Sequence, residues 1–237
     1  MTFVNLSQKS RKAVFRGALY LFNANFRQQL FAQIERIEIN LRARIANYFS
    51  VKYGVIGYQD SGIFPDPCKH ANFIKNIEQE IDRNKRSPFI RNFQENYENG
   101  NIPFYALVEI MSFGALSKFY KNLQGADKQE IADTYGLKFK FLESWIESIT
   151  YVRNLCAHYG RIYNAKLTKK PRLYNEYREI GIRDDRIFGI LCCIKELVPQ
   201  DEHWNEFVEQ IEAFLEKYPH VNEFTMGFPG NWKQILL

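Results

Sequence analysis

The sequence is short of the residues that build stapled or metal-held folds. Its four cysteines, Cys68, Cys156, Cys192 and Cys193, are irregularly spaced and include no C-x-x-C pair, so neither a disulfide framework nor a zinc site is indicated. The four histidines, His70, His158, His203 and His220, lie far apart with no H-x-x-x-H pair, which argues against a histidine-based metal site. A glycine-rich phosphate loop and a G-x-S-x-G elbow are both missing. No apolar run approaches the length of a membrane span, and the first ten residues lack the basic-then-apolar layout of a secretory signal. The expectation is a cytoplasmic, reduced protein with no membrane segment, no metal and no cofactor. No stretch alternates with period two between turn signals, and no internal repeat is visible, which disfavours sheets and solenoids.

What is present reads as helix. Hydrophobic residues make up 46% of 237, enough for the core of one domain, taken as residues 1–237. The periodicity predicts a first helix over Ser7 to Phe22 and a second from Asn25 to Lys52, stopped at Gly54. In the second, Phe26, Leu30, Ile34, Ile37, Leu41, Ile45 and Tyr48 form one apolar stripe. Glu38 and Arg42, one turn apart beside it, read equally as an ordinary pair or as support for a site. Gly54 to Pro67 is the longest expected loop and the best candidate for mobility. Helices follow over Ala71 to Asn84, from Ser87-Pro88 to before Gly100, from Pro103 to Leu123, and over Lys128 to Thr134. Gly114 falls inside the Pro103 helix, where close packing is the expected compensation for a glycine that costs about 1 kcal/mol relative to alanine. Ile187 to Leu197 and Trp204 to Tyr218 complete an all-α helical bundle. Asp184-Asp185 reads as a helix start, where negative charge favours the dipole.

Charge is uneven. Lys9 to Arg44 holds eight basic residues and two acidic ones, Glu35 and Glu38. Arg161 to Arg172 holds five basic residues and no acidic one, whereas Glu196 to Glu223 holds eight acidic residues and one lysine. A polyanion is therefore expected against the first helices and the segment after His158, although such runs are often only solvated helix faces.

The stretch Ser148 to Asn164 organises the rest. Leu142, Trp145, Ile149, Val152, Cys156 and Tyr159 recur at helical spacing and define a buried face. Asn154, His158 and Arg161, at i, i+4 and i+7, form a polar stripe opposite. Arg153 lies about 140° around from His158, and its long stem can bring the guanidinium toward it. Taken alone, the pair also has ordinary uses, a histidine on the last helical carbonyls and an arginine on a core carboxylate.

Arg153-Asn154-x-x-x-His158 resembles the R-N-x-x-x-H motif of the HEPN ribonuclease superfamily. The longer string Arg153 to Asn164 is similar to its Abi-like (abortive infection) branch. Ile34 to Arg42 resembles that branch's I-E-x-x-L-R helix, Ser112 to Tyr120 its F-G-x-L-S-x-x-Y segment, and Met226-Gly-Phe-Pro-Gly-Asn-Trp232 its closing M-G-F-P-x-x-W signature. The resemblance implies a HEPN-like bundle with a metal-independent RNA-cleaving site and a role in phage defence. It implies His158 as general acid and base, Arg153 as phosphate stabiliser and Asn154 as the residue orienting them. Histidine titrates near neutral pH, about 6.5 when unperturbed, and the arginine fork holds two phosphate oxygens at once. Arg161, Lys169 and Lys170 are expected to contact the substrate, and Tyr159 and Tyr163 to stack on a base. HEPN proteins pair two motifs across a two-fold axis, so a homodimer is expected, with RNA as substrate and an antitoxin or activator as a further partner. The alternative reading is a non-catalytic HEPN-type protein that binds RNA, a nucleotide or a partner.

Overall fold

The computed structural model describes residues 8–199 and 201–237, and their side chains from residue 15 onward except 98. Eleven α-helices follow one another among the described residues: α1 (Gln8–Tyr53), α2 (Pro67–Asn84), α3 (Pro88–Asn96), α4 (Phe104–Ile110), α5 (Phe113–Lys121), α6 (Gly125–Asp133), α7 (Phe139–Ala157), α8 (Asn175–Glu179), α9 (Ile187–Lys195), α10 (Glu202–Lys217) and α11 (Trp232–Leu236). No strand occurs among those residues, and the fold is all-α. Two compact units form: the chain up to Arg36 with Tyr151–Leu237, and Ile37–Thr150. Helices α1 and α7 each contribute residues to both.

Where two N-terminal helices were expected, α1 is a single helix of 46 residues. Its expected start at Ser7 lies outside the described residues. Asparagine usually ends helices because its side chain competes for the backbone. Here the Asn23 amide donates back to the Leu19 carbonyl at 2.8 Å and its other end is used elsewhere, so the backbone continues. The expected stripe is buried: Phe26, Leu30, Ile34, Ile37, Leu41 and Ile45 are each at most 1% exposed. That stripe holds the helix, since most helical stability in proteins comes from packing one face.

In the unit Ile37–Thr150 an aromatic core surrounds Phe49, whose ring centroid lies 4.8 Å from Phe104 and 5.1 Å from Phe119. The segment expected to be a mobile loop is anchored onto it. Phe64 is buried, the Tyr58 hydroxyl donates to the Ile102 carbonyl at 3.0 Å, and the Phe104 N–H donates to the Val55 carbonyl at 2.7 Å. Two 3-10 turns, Gly57–Gln59 and Ser61–Ile63, satisfy much of its backbone. The buried His70 bonds the Tyr58 carbonyl and stacks on Phe64, a structural use.

The helix expected from Pro103 to Leu123 is two, α4 and α5, because Ser112 caps α5 through its hydroxyl, which accepts from the Ala115 N–H at 3.1 Å. Gly114 is thereby in a first turn, where an added methyl would meet only ordinary contacts at 3.8 Å. Close packing does not explain it. Arg42 bonds Glu38 and donates to the carbonyls of Val108 and Met111 at the end of α4. A cation there complements the helix dipole, so this pair is a structural cap.

Asp127, 1% exposed, accepts hydrogen bonds from Tyr48, Lys52 and Tyr53 at 2.9, 2.7 and 2.8 Å. Burial alone would raise its carboxyl, but the bonds from Lys52, Tyr53 and Tyr48 outweigh that and hold it below the ordinary carboxylate value. Burial pushes the Tyr48 hydroxyl up to about 12.

In the other unit α9 is buried throughout its first eight residues, and the indole of Trp204 on α10 donates to the Leu236 carbonyl at 2.7 Å. Phe228 packs its ring 4.8 Å from Phe188 and 5.5 Å from Trp232. Gly227, at φ 89°, approaches Arg186 so closely that an added Cβ would lie 2.7 Å from the arginine's own Cβ.

A carboxyl with a depressed value contributes stability that is present above its unfolded pKa, about 3.9, and is lost as pH falls through the folded one. Asp127→Asn is therefore expected to lower the urea midpoint at pH 7. The gap from the parent protein should close as pH is taken well below 4, and a gap independent of pH would contradict the assignment.

Candidate active site

The helix that carries the motif is built as the pattern predicts. Leu142, Trp145, Ile149 and Val152 are fully buried and Cys156 is 7% exposed. Burial pushes the Cys156 thiol up to about 12, against the opposing pull of Arg27, so it is held as an unreactive core group.

The helix stops sooner than the pattern suggests. It ends at Ala157 with His158 as the capping residue, and the Gly160 N–H donates to Leu155 O at 2.7 Å while the Tyr159 N–H donates to Cys156 O at 3.2 Å. These are the paired bonds of a Schellman turn, which needs a left-handed residue and usually takes glycine there. Here Tyr159 occupies it at φ 57°. Gly160 follows because a Cβ at that position would lie 2.9 Å from Leu155 O.

The turn changes two expectations. Tyr159 does not join the buried face: it is 83% exposed, because the chain has left the helix before it. Arg161 is likewise off the helical stripe, and its Nε donates to the Tyr163 carbonyl at 2.9 Å. Asn154 and His158 keep their i, i+4 relation; both are exposed, and the His158 N–H donates to the Asn154 carbonyl at 3.0 Å. Arg153 is half-buried, with its guanidinium carbon 5.4 Å from the centre of the Phe31 ring on α1.

Two residues of α1 outside the motif complete this region. The Asn23 side-chain oxygen accepts from the N–H groups of Ile162 and Tyr163 at 3.1 and 2.9 Å. Arg27, 8% exposed, donates from Nη1 to the Gly160 carbonyl at 3.2 Å. Asn23, Arg27 and Phe31 follow at intervals of four, one turn above another. The available signal was two polar residues interleaved with Phe22, Phe26 and Leu30, on a face the helix must bury.

Downstream, Tyr163 is not open for base stacking. It is 8% exposed, its ring meets Phe22 edge-on at 6.2 Å, and its hydroxyl accepts from the Asn222 N–H at 3.3 Å. Asn164 and Ala165 are held by Arg186, whose Nη1 donates to the Asn164 side-chain oxygen and the Ala165 carbonyl at 3.1 Å each. Lys166, Lys169, Lys170 and Arg172 are exposed along the following loop. Lys170 borders an open cleft of about 360 Å³, lined also by Leu173, Arg178, Ile182, Arg183, Asp184 and Asp185. Asp185 is gripped by both ends of the Arg183 fork at 2.9 and 2.8 Å and is not a helix cap; the cap of α9 is Arg186.

Among the described residues no three His, Cys, Asp or Glu side chains gather as a metal site, and no helix is long and apolar enough to cross a membrane.

The family model described as Abi-like protein matches residues 12–164, and the chain belongs to that family. Its function accordingly falls broadly with the abortive-infection proteins. The match ends before Met226 to Trp232. No curated protein and no solved structure matches the chain.

A non-glycine left-handed residue carries a penalty that glycine escapes, about 1 kcal/mol. Tyr159→Gly should raise stability by about that much, and Tyr159→Ala should not, since alanine keeps the offending Cβ. Equal urea midpoints for the two variants would show that the turn is unstrained.

Proposed function

We propose that the protein is an endoribonuclease of the abortive-infection type, with the HEPN chemistry that its motif resembles. The observation that carries this reading is the end of α7: His158 is exposed at the helix terminus, five residues after Arg153, whose guanidinium carbon lies 5.4 Å from the Phe31 ring on α1. In this mechanism a ribose 2′-hydroxyl attacks the adjacent phosphorus and expels the 5′-oxygen. His158 serves as general base for the hydroxyl proton and as general acid for the leaving oxygen, the two roles falling to the two copies of the residue. Arg153 neutralises the phosphorane oxygens, for which its planar fork is suited. Asn154, one turn before His158 on the same side, orients the imidazole. Tyr159, held out by the Schellman turn, offers a ring face to a base, and Arg161, Lys169 and Lys170 meet the backbone.

One chain supplies one histidine, whereas this chemistry needs both an acid and a base. A homodimer with the two Arg153–His158 sets facing one scissile phosphate supplies both, and a two-fold axis gives that arrangement naturally. The cellular role would be arrest of an infected host by RNA degradation, restrained or triggered by a protein partner.

His158→Ala should abolish cleavage of purified RNA without lowering the thermal midpoint, because an exposed histidine adds little packing. Arg153→Lys should also abolish it although the charge is kept. The parent protein should cleave in EDTA, since attack by the 2′-hydroxyl requires no metal-bound water. Unaltered cleavage by the His158 variant would overturn the reading.

A further inference from the structure

We infer that Arg27 is a second phosphate-binding guanidinium of this site, gripping the backbone of a bound RNA strand from the α1 side. The inference rests on the endoribonuclease reading for the identity of the strand, and on Arg27 itself for the anion. Arg27 is 8% exposed. Its guanidinium is permanently charged and carries five N–H donors, yet among the described residues it makes one hydrogen bond, to the neutral Gly160 carbonyl. Among the described residues it makes no ion pair; the nearby arginine Arg36, by contrast, is matched by Asp201 at 2.6 Å.

A buried charge is normally paired, because desolvating it without an opposite charge is unfavourable. The turn at Gly160 asks for one donor, which a neutral amide would supply, as Asn23 shows for the neighbouring carbonyl of Leu19. The charge of Arg27 exceeds what the fold requires. None of its nitrogens is both sealed from solvent and without an acceptor, so those not bonded to Gly160 still open to the surface. They do so beside the motif: Gly160 is two residues beyond His158, and Phe31, one turn along α1 from Arg27, lies under the Arg153 guanidinium. A phosphate here would meet donors from two helices, the arrangement in which arginine outperforms lysine as an anion clamp.

The probe is a mixed-sequence 2′-O-methyl oligoribonucleotide, which the proposed mechanism cannot cut, titrated into the full-length protein at several salt concentrations. Arg27→Gln should weaken binding about tenfold and reduce the slope of log affinity against log salt by about 0.7, the loss of one single-strand phosphate contact. Arg27→Lys should keep the slope while losing part of the affinity. Asn23→Ala loosens the same turn without removing charge, and should leave the slope unchanged. Parental affinity and slope in the Arg27→Gln protein would overturn the inference. Should that variant not fold, the Arg27 Nε–Hε resonance of the parent protein should shift on adding the oligonucleotide, and a fixed resonance would overturn it equally. Salt-dependent binding through Arg27 with no cleavage of natural RNA would refute the nuclease reading and leave the anion site standing. Cleavage that Arg27→Gln leaves untouched, with parental binding, would do the reverse.

Discussion

The backbone that leaves α7 has no helix to satisfy it between Gly160 and Tyr163, and two side chains of α1 supply three of its hydrogen bonds. Asn23 accepts from Ile162 and Tyr163, and Arg27 donates to Gly160. A buried backbone group left unpaired costs about 1–3 kcal/mol, so these contacts decide where the chain goes after the motif. They also decide where the motif ends: with Gly160 fixed, the Schellman bonds to Leu155 and Cys156 close α7 at Ala157 and His158 becomes a terminal, exposed residue. The same turn holds Tyr159 outward in a conformation that its side chain disfavours. Strain of this kind collects at functional sites, where surrounding structure enforces it.

The segment beyond is carried by a chain of contacts of the same sort. Arg186 holds Asn164 and Ala165, and Gly227 lies against Arg186 so closely that no other residue fits without displacement. The M-G-F-P-x-x-W stretch thus touches the motif's own tail at one remove, although the family match stops at residue 164.

Much of the architecture was legible because apolar spacing is a strong signal over long helices. The α1 stripe and the α7 face were read from period alone, and apart from the half-buried Tyr48 and the exposed Tyr159 their residues are buried. The errors fall where a side chain's partner lies far away in sequence. The break expected between Phe22 and Asn25 does not occur, and the partners of Asn23 at Ile162 and Tyr163 lie far along the chain. Tyr159 continued the apolar period, yet backbone bonds ended the helix before it. Helices α8 and α11, five residues each, are too short to show a period. Charge was the least reliable guide. Arg36, Arg42 and Arg44 were counted toward a polyanion surface, but Arg36 pairs with Asp201, Arg42 caps α4, and Arg44 bonds the Thr134 carbonyl and covers the Tyr135 ring at 4.4 Å. Arg27 was hidden in that count as one basic residue among eight.

In the proposed mechanism a ribose hydroxyl, not water, attacks the phosphorus. The ends of the fragments record which nucleophile acted. Digestion of a defined oligoribonucleotide by the purified protein, with both fragment ends identified by mass spectrometry, should give a 2′,3′-cyclic phosphate upstream and a free 5′-hydroxyl downstream. Fragments bearing a 3′-hydroxyl and a 5′-phosphate would contradict the account, because no attack by the neighbouring 2′-oxygen can produce them.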